Sequence, residues 1–188
     1  MSTSDIKVHL GCGKRYLRGY IHVDLAEYPH IDYGHGVERL PMFEENSVDL
    51  IYGSHLLEYF DRAQVIPVLK EWRRVLKPGG TLRLAVPNFE ALMEVYGKYG
   101  DLDMVLGPLY GRWPIPGSDA IVYHKTIYDF ASLKHVLEEA QLGNVRIWDW
   151  RKVFVGEHEG FDDYSQAYIP HMDKEHGILI SLNVEATK

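Results

Sequence analysis

A single cysteine, Cys12, stands in a chain of 188 residues. That excludes an internal disulfide framework and any metal site made of cysteines alone. No run of about 18 apolar residues occurs, so no transmembrane helix is expected. The opening MSTSDIKVHL lacks the basic start and apolar stretch of a secretion signal. These absences lead to the expectation of a cytoplasmic protein that does not engage a membrane. Positive charge is also scarce: 20 Lys and Arg stand against 27 Asp and Glu, for a net charge of −7. Non-specific nucleic-acid binding depends on cations that neutralise phosphates, and is not expected. Arg62, Lys70, Arg73, Arg74 and Lys77 fall on one helical stretch and read as a solvated face.

What is present suits one compact domain over residues 1–188, with 46% apolar and 25% charged residues. No internal repeat is visible. DIKVHL (5–10), YIHVD (20–24) and SVDLIY (47–52) read as strands. Residues 62–76 place Val65, Val68, Leu69, Trp72, Val75 and Leu76 at helical spacing, with Pro67 near the start and Lys77-Pro78-Gly79-Gly80 as the stop. TLRLAVP (81–87) is a further strand, and Asn88 caps a short helix over 88–97. Residues 98–124 are rich in Gly, Pro and aromatics and read as an irregular, lid-like insertion. A helix is expected over 126–141, with Thr126 as cap and Asp129 as capping-box acid. Strands at 144–155 and 177–188 flank an acidic loop that carries His and Tyr. Alternating strands and helices, then two strands without a helix between them, predict a mainly parallel α/β sheet with one antiparallel C-terminal strand.

The chemistry begins in KVHLGCGKRYLRGYIHVDL, residues 7–25. Gly11 and Gly13 follow the first strand, where open α/β sheets collect ligands and where glycine lets a ligand approach the backbone. Asp24 ends the second strand, placed to accept from both hydroxyls of a ribose. Together they point to an adenosine-bearing cofactor. A dinucleotide fingerprint needs G-x-G-x-x-G opening a helix, with the acid about 20 residues on. Here the third glycine is Gly19, and the acid follows too soon for a full helix. An NAD-type Rossmann enzyme is therefore the weaker alternative.

Four blocks in order, HLGCG (9–13), Asp24, ERLPMFEENSVDLIYGSHLLEYF (38–60) and RRVLKPGGTLRLAVPN (73–88), resemble the class I S-adenosylmethionine-dependent methyltransferases. The tail, with HKTIYDFASLKHVLEEAQLGNVRI (124–147) and residues 163–188, is similar to a bacterial subgroup of short methyltransferases of the type 11 kind. The resemblance implies a Rossmann-like fold with a shortened first helix. It also implies S-adenosylmethionine as cofactor and S-adenosylhomocysteine as product. On this resemblance Gly11, Cys12 and Gly13 line the methionine part and Asp24 holds the ribose. Gly36, Val37 and Glu38 border the adenine, and Gly53, Ser54 and His55 form the floor near the sulfonium. Many relatives carry an acid for the adenine amino group where this chain has Gly36, which leaves backbone groups or Asp32 as substitutes. With little helix after the glycine turn, Lys14 and Arg15 are expected to hold the cofactor's carboxylate.

Methyl transfer is an in-line displacement that needs alignment and exclusion of water, with a base only where the acceptor must lose a proton. Among ten histidines, His124 ranks first and His55 second as that base. A structural histidine is the alternative for each. His158, Asp162, Asp163, His171, Asp173 and His176 match no metal motif and read as a hydrophilic loop, so no metal is expected. The acceptor is expected to be a small molecule or a carbohydrate, and the insertion leaves room for a homodimer. A module that binds S-adenosylmethionine or S-adenosylhomocysteine without catalysis is the other alternative.

Overall fold

The computed structural model describes residues 5–116 and 119–188; the first four residues, and residues 117 and 118 of the insertion, lie outside them. The main sheet has seven strands: β1 (Lys7–Leu10), β2 (Ile21–Asp24), β3 (Tyr33–Gly34), β4 (Val48–Ser54), β5 (Leu76–Pro87), β6 (Gly143–Ile147) and β7 (Ser181–Thr187). Their spatial order is 3-2-1-4-5-7-6. β7 runs antiparallel to both β5 and β6, while the remaining neighbours are parallel. This is the mainly parallel sheet with one antiparallel C-terminal strand that the alternation of elements implied.

The helices are α1 (Val65–Val75), α2 (Phe89–Tyr99), α3 (Asp103–Tyr110), α4 (Phe130–Glu139) and the single turn α5 (Trp150–Val153). The side-chain alternation of each strand sorts residues onto two faces. Val8, Leu10, Val23, Ile51, Leu82, Leu84 and Val184 share a core with Val68, Leu69 and Trp72 of α1 and Leu133 and Leu137 of α4. The opposite face has no long helix on it among the described residues. There Leu17, Tyr52, Ala85, Trp148 and Phe154 form a second core, joined by Tyr20 and Phe161. The connection from β1 to β2, residues 11–20, contains no helix at all. The segment from Trp148 to Gln166 lies over that face instead, fixed by the Trp148 indole N–H donating to the Leu84 carbonyl (2.9 Å) and by the Tyr52 hydroxyl donating to Asp163 (2.5 Å).

Four expectations are revised by these elements. The helix after the insertion starts at Phe130 with Asp129 as its cap, not at Thr126. The Phe89 amide bonds to the Tyr128 carbonyl and Asn88 bridges to Tyr128, which holds residue 128 extended and delays the helix. The stretch 144–155 is strand only to Ile147; the Asp149 side chain then accepts from the Arg151 amide and starts a helical turn. In IWDWRKVFV the alternating aromatics imitate a strand, but Trp148 and Phe154 serve the second core. The terminal stretch is broken as well: Ile178–Leu179 pairs with Tyr168–Ile169, and β7 begins at Ser181. The insertion is less irregular than its composition implies. It holds α3, ended by Gly111 at φ +48°, and a short hairpin of Trp113–Pro114 with Ile121–Val122.

Replacement of Trp148 by Ala removes the indole from the second core together with its hydrogen bond to the Leu84 carbonyl. A loss of about 3–5 kcal/mol in unfolding free energy is expected from urea denaturation. A loss below about 1 kcal/mol would mean that the aromatic layer is a dispensable coat.

Candidate functional site

A cavity of about 320 Å³ opens at the carboxyl ends of β1, β2 and β4. Of the residues singled out from sequence, Gly11, Cys12, Gly13, Lys14, Arg15, Asp24, Val37, Glu38, Ser54 and His55 line it. Gly36, Gly53 and His124 do not line it.

The glycine turn needs its glycines. Gly11 and Gly13 sit at φ +59° and +52°, and a side-chain carbon on Gly11 would lie 2.6 Å from Leu56. Asp24 holds this turn closed. Its carboxylate accepts from the Gly13 amide (2.7 Å) and from the Ala26 amide (2.7 Å). The short link therefore ties the acid directly to the turn, and each oxygen keeps a lone pair for a further donor. Cys12 is buried between them. Burial and the neighbouring Asp24 push its thiol up to about 12, which keeps it a protonated packing group. Lys14 is exposed and Arg15 half-buried at the cavity edge; neither is ion-paired among the described residues.

A further part of the rim is anchored by α1. Its Trp72 indole donates to the Val37 carbonyl (2.8 Å), Glu71 accepts from the Leu40 amide (2.8 Å), and Arg74 donates to the Leu40 and Phe43 carbonyls. Val37 and Glu38 are thereby fixed beside the glycine turn. Glu38 folds back over Gly36, so that a side-chain carbon at residue 36 would lie 2.5 Å from its Oε2. A carboxylate thus occupies the space that an acidic side chain at position 36 would use. Asp32 faces elsewhere, accepting from the His22 amide (2.8 Å) and lying 3.5 Å from the His22 ring.

His55 ends β4 in the left-handed region, at φ +50°, its amide bonded to the Ala85 carbonyl (2.7 Å). That conformation is costly for a residue with a Cβ and turns the chain sharply at the cavity floor. His55 Nδ1 lies 3.6 Å from Glu58 Oε1, and His124 Nε2 lies 3.8 Å from the same oxygen. His124 Nδ1 sits 2.8 Å from the Pro108 carbonyl, which can only accept, so Nδ1 carries the hydrogen. Burial, the nearby His124 and an opposing bond to the Tyr164 backbone leave His55 held down at about 3. Burial also lowers His124.

Sequence reasoning missed Glu58, His9, Asp163 and Tyr164. Glu58 is fully buried, with neither carboxyl oxygen hydrogen-bonded. In HLLEYF it reads as an ordinary surface acid, and the one available signal was its place between apolar residues on both sides. His9, pushed down to about 3 by burial and by the His22 and His30 rings, lines the cavity from β1. Asp163 is turned inward to Tyr52 and Ser165, and burial raises its carboxyl above the usual range. Among the described residues, no group of three or more His, Cys, Asp or Glu is placed to hold a metal ion. In the late loop Lys174 pairs with Asp162 and His176 with Asp173.

Comparison with known proteins agrees with this geometry. Residues 8–84 match the family model described as a methyltransferase domain. A SAM-dependent methyltransferase from Methanosarcina mazei is 17% identical, with 99% of this chain and 93% of that one covered at a TM-score of 0.58. The Haloferax volcanii methyltransferase solved in complex with the activator Trm112 is 15% identical, with 100% and 83% covered at 0.52. The Burkholderia thailandensis 1,6-didemethyltoxoflavin-N1-methyltransferase, with 1,6-didemethyltoxoflavin and S-adenosylhomocysteine bound, is 13% identical, with 97% and 70% covered at 0.54. No curated protein matches the sequence. The chain has the class I S-adenosylmethionine-dependent methyltransferase fold, and the resemblance carried by its four sequence blocks is borne out.

Burial holds the Glu58 carboxyl up at about 8 against an ordinary 4.5. The folded chain keeps this proton where the unfolded chain has lost it. The cost of burying Glu58 is therefore smallest below pH 4.5, where both states are protonated, and grows as pH rises to about 8. The buried His9 and His55 act oppositely, and their contribution is lost as pH falls from 6.5 toward 3. Relative to Glu58→Gln, wild-type stability in urea should fall between about pH 5 and 8 by on the order of 1 kcal/mol per pH unit. Parallel curves for the two proteins would place the Glu58 carboxyl in a watery site.

Proposed function

We propose that this cavity binds S-adenosylmethionine and that the chain transfers its methyl group to a small-molecule or carbohydrate acceptor. The observation that carries the reading is the glycine turn closed by Asp24, with an unpaired Arg15 and a Glu38 folded over Gly36 on the same cavity wall. The cofactor supplies an electrophilic methyl group on a positively charged sulfur. Asp24 accepts from the ribose hydroxyls with its remaining lone pairs. Arg15, with Lys14 beside it, takes the methionine carboxylate in place of a helix N-terminus, since no helix follows the turn. Glu38 accepts from the adenine amino group, the role that relatives give to an acid at the position of Gly36.

The acceptor enters past the insertion, whose Trp113, Ile115, Pro116 and Val122 border the cavity. These side chains offer an apolar rim that excludes water and against which a ring can stack. Tyr164 lies on the same side, its ring 5.2 Å from that of His55. Of the two histidines ranked from sequence, His55 is the one on the cavity wall, which supports it as the one to touch an acceptor. His124 stands behind it, its ring edge-on to Tyr59 at 4.9 Å, and acts through its neighbours. The activator complex formed by the Haloferax methyltransferase makes a partner protein a further candidate beside a homodimer.

Calorimetric titration with S-adenosylmethionine, S-adenosylhomocysteine and NAD is the direct test. Saturable binding of the first two and none of NAD is expected. Arg15→Ala should weaken both by about tenfold or more, the worth of a charge-assisted bond. Binding of NAD alone would replace this reading with a dinucleotide enzyme. Tight binding without turnover of any acceptor class would leave a cofactor-binding module.

A further inference from the structure

The carboxyl of Glu58 has no ordinary reason to be where it is. It is fully excluded from solvent, neither oxygen is hydrogen-bonded, and no Lys or Arg faces it among the described residues. A buried carboxyl without a bonded partner costs the fold stability, whichever form it takes. The groups around it are His55 from the end of β4, His124 from the end of the insertion, Tyr59 from its own turn, and Tyr128 before α4; Tyr164 of the late loop faces Tyr59, and Arg62 reaches only as far as Tyr128. None supplies a positive charge at neutral pH. Its own backbone amide is the one group that favours the charged form, and burial outweighs it.

The cavity begins one imidazole away. His55 lines the wall and approaches Glu58 Oε1 to 3.6 Å. A cation seated against His55 would therefore face, through a single ring and with no water between, a carboxyl that lacks a counter-charge. In such surroundings the attraction between opposite charges is far stronger than in water.

We propose that Glu58 is the group that answers the charge of the cofactor: it gives up its proton when the sulfonium enters and takes a proton back when the methyl group leaves. This rests on the cavity being the S-adenosylmethionine site, with its sulfonium at the His55 floor. The charges and atoms close. On transfer the carbon–sulfur bond breaks with its electron pair left on sulfur, and the carbon–acceptor bond forms. The acceptor, an O–H or N–H group, loses its proton. The sulfur becomes neutral, so the Glu58 carboxylate is again a buried charge without a partner, and its proton affinity rises when a proton has to be accepted. His55 is the ring between them and Glu58 a positioning and charge-matching residue. The same arrangement discriminates the charged cofactor from its neutral product and so favours product release.

The test counts protons on binding and needs no acceptor. S-adenosylmethionine and S-adenosylhomocysteine are titrated calorimetrically at pH 7 in buffers of different ionisation enthalpy, with wild type and Glu58→Gln. The two ligands share their amino, carboxylate and adenosine groups, so the difference between them isolates the sulfonium. Wild type should release close to one more proton with S-adenosylmethionine than with S-adenosylhomocysteine, and Glu58→Gln should abolish that difference. In wild type alone, the ratio of the two affinities should rise about tenfold per pH unit below the ionisation of free Glu58 and level off above it. Equal proton release with both ligands overturns the proposal while leaving the cofactor site intact. A difference that persists in Glu58→Gln transfers the role to Asp163, a buried carboxyl on the cavity wall, and also overturns it. Failure of both ligands to bind overturns the cofactor reading and this one with it.

Discussion

One face of the central sheet has no helix long enough to cover it, and much of the structure answers that constraint. The ten residues between β1 and β2 make a turn and an extended run, too short to fold back over the strands as a helix. His9, Tyr52 and Ala85 would otherwise point into water. The chain returns from β6 to close this face with Trp148, Phe154 and Phe161, and the Tyr52–Asp163 hydrogen bond secures the cover. The layer is aromatic and polar rather than aliphatic, so its pieces are joined by directed bonds: Asn183 to the Ser165 carbonyl (2.9 Å), and Arg83 and Arg146 both to Glu185.

The same economy shapes the site. Without a helix beneath the glycine turn, closure passes to a single carboxylate that bonds two amides, and the cations at the cavity edge are the side chains of Lys14 and Arg15. Charge is then arranged along the cavity. Exposed Lys14, half-buried Arg15 and Glu38 stand on its wall, and neutral buried His9 and His55 line it, with a protonated Glu58 behind His55. A floor that is uncharged when empty lets the cofactor's own charge dominate the electrostatics of the bound state.

How much of this was legible depended on how local each feature is. The strands at 5–10, 20–24 and 47–52 and the helix at 62–76 follow from alternation and period, and the structure moves their ends by only a few residues. Gly11, Gly13 and Asp24 were readable because the chemistry is packed into fourteen consecutive residues. α3 was hidden by composition: LGPLYG reads as loop, yet Pro108 leaves its carbonyl to His124. The cap at Asp129 was decided by Asn88, forty residues away in sequence. Asp163 under Tyr52 and Glu58 beside His124 are pairings made by tertiary packing, and the adjacent sequence does not announce them.

The cover on the second face also sets an order of assembly. His9 and Tyr52 are sealed by residues a hundred or more positions later, and β7 enters the sheet between β5 and β6. Such pairings carry the loop-closure entropy of long intervening chain before they return any stabilisation. Helix α1 can form early from local contacts, but the floor of the cavity stays wet until the late segment docks. A chain stopped after β5 would leave His9 and Tyr52 uncovered and the cavity wall without Asp163 and Tyr164.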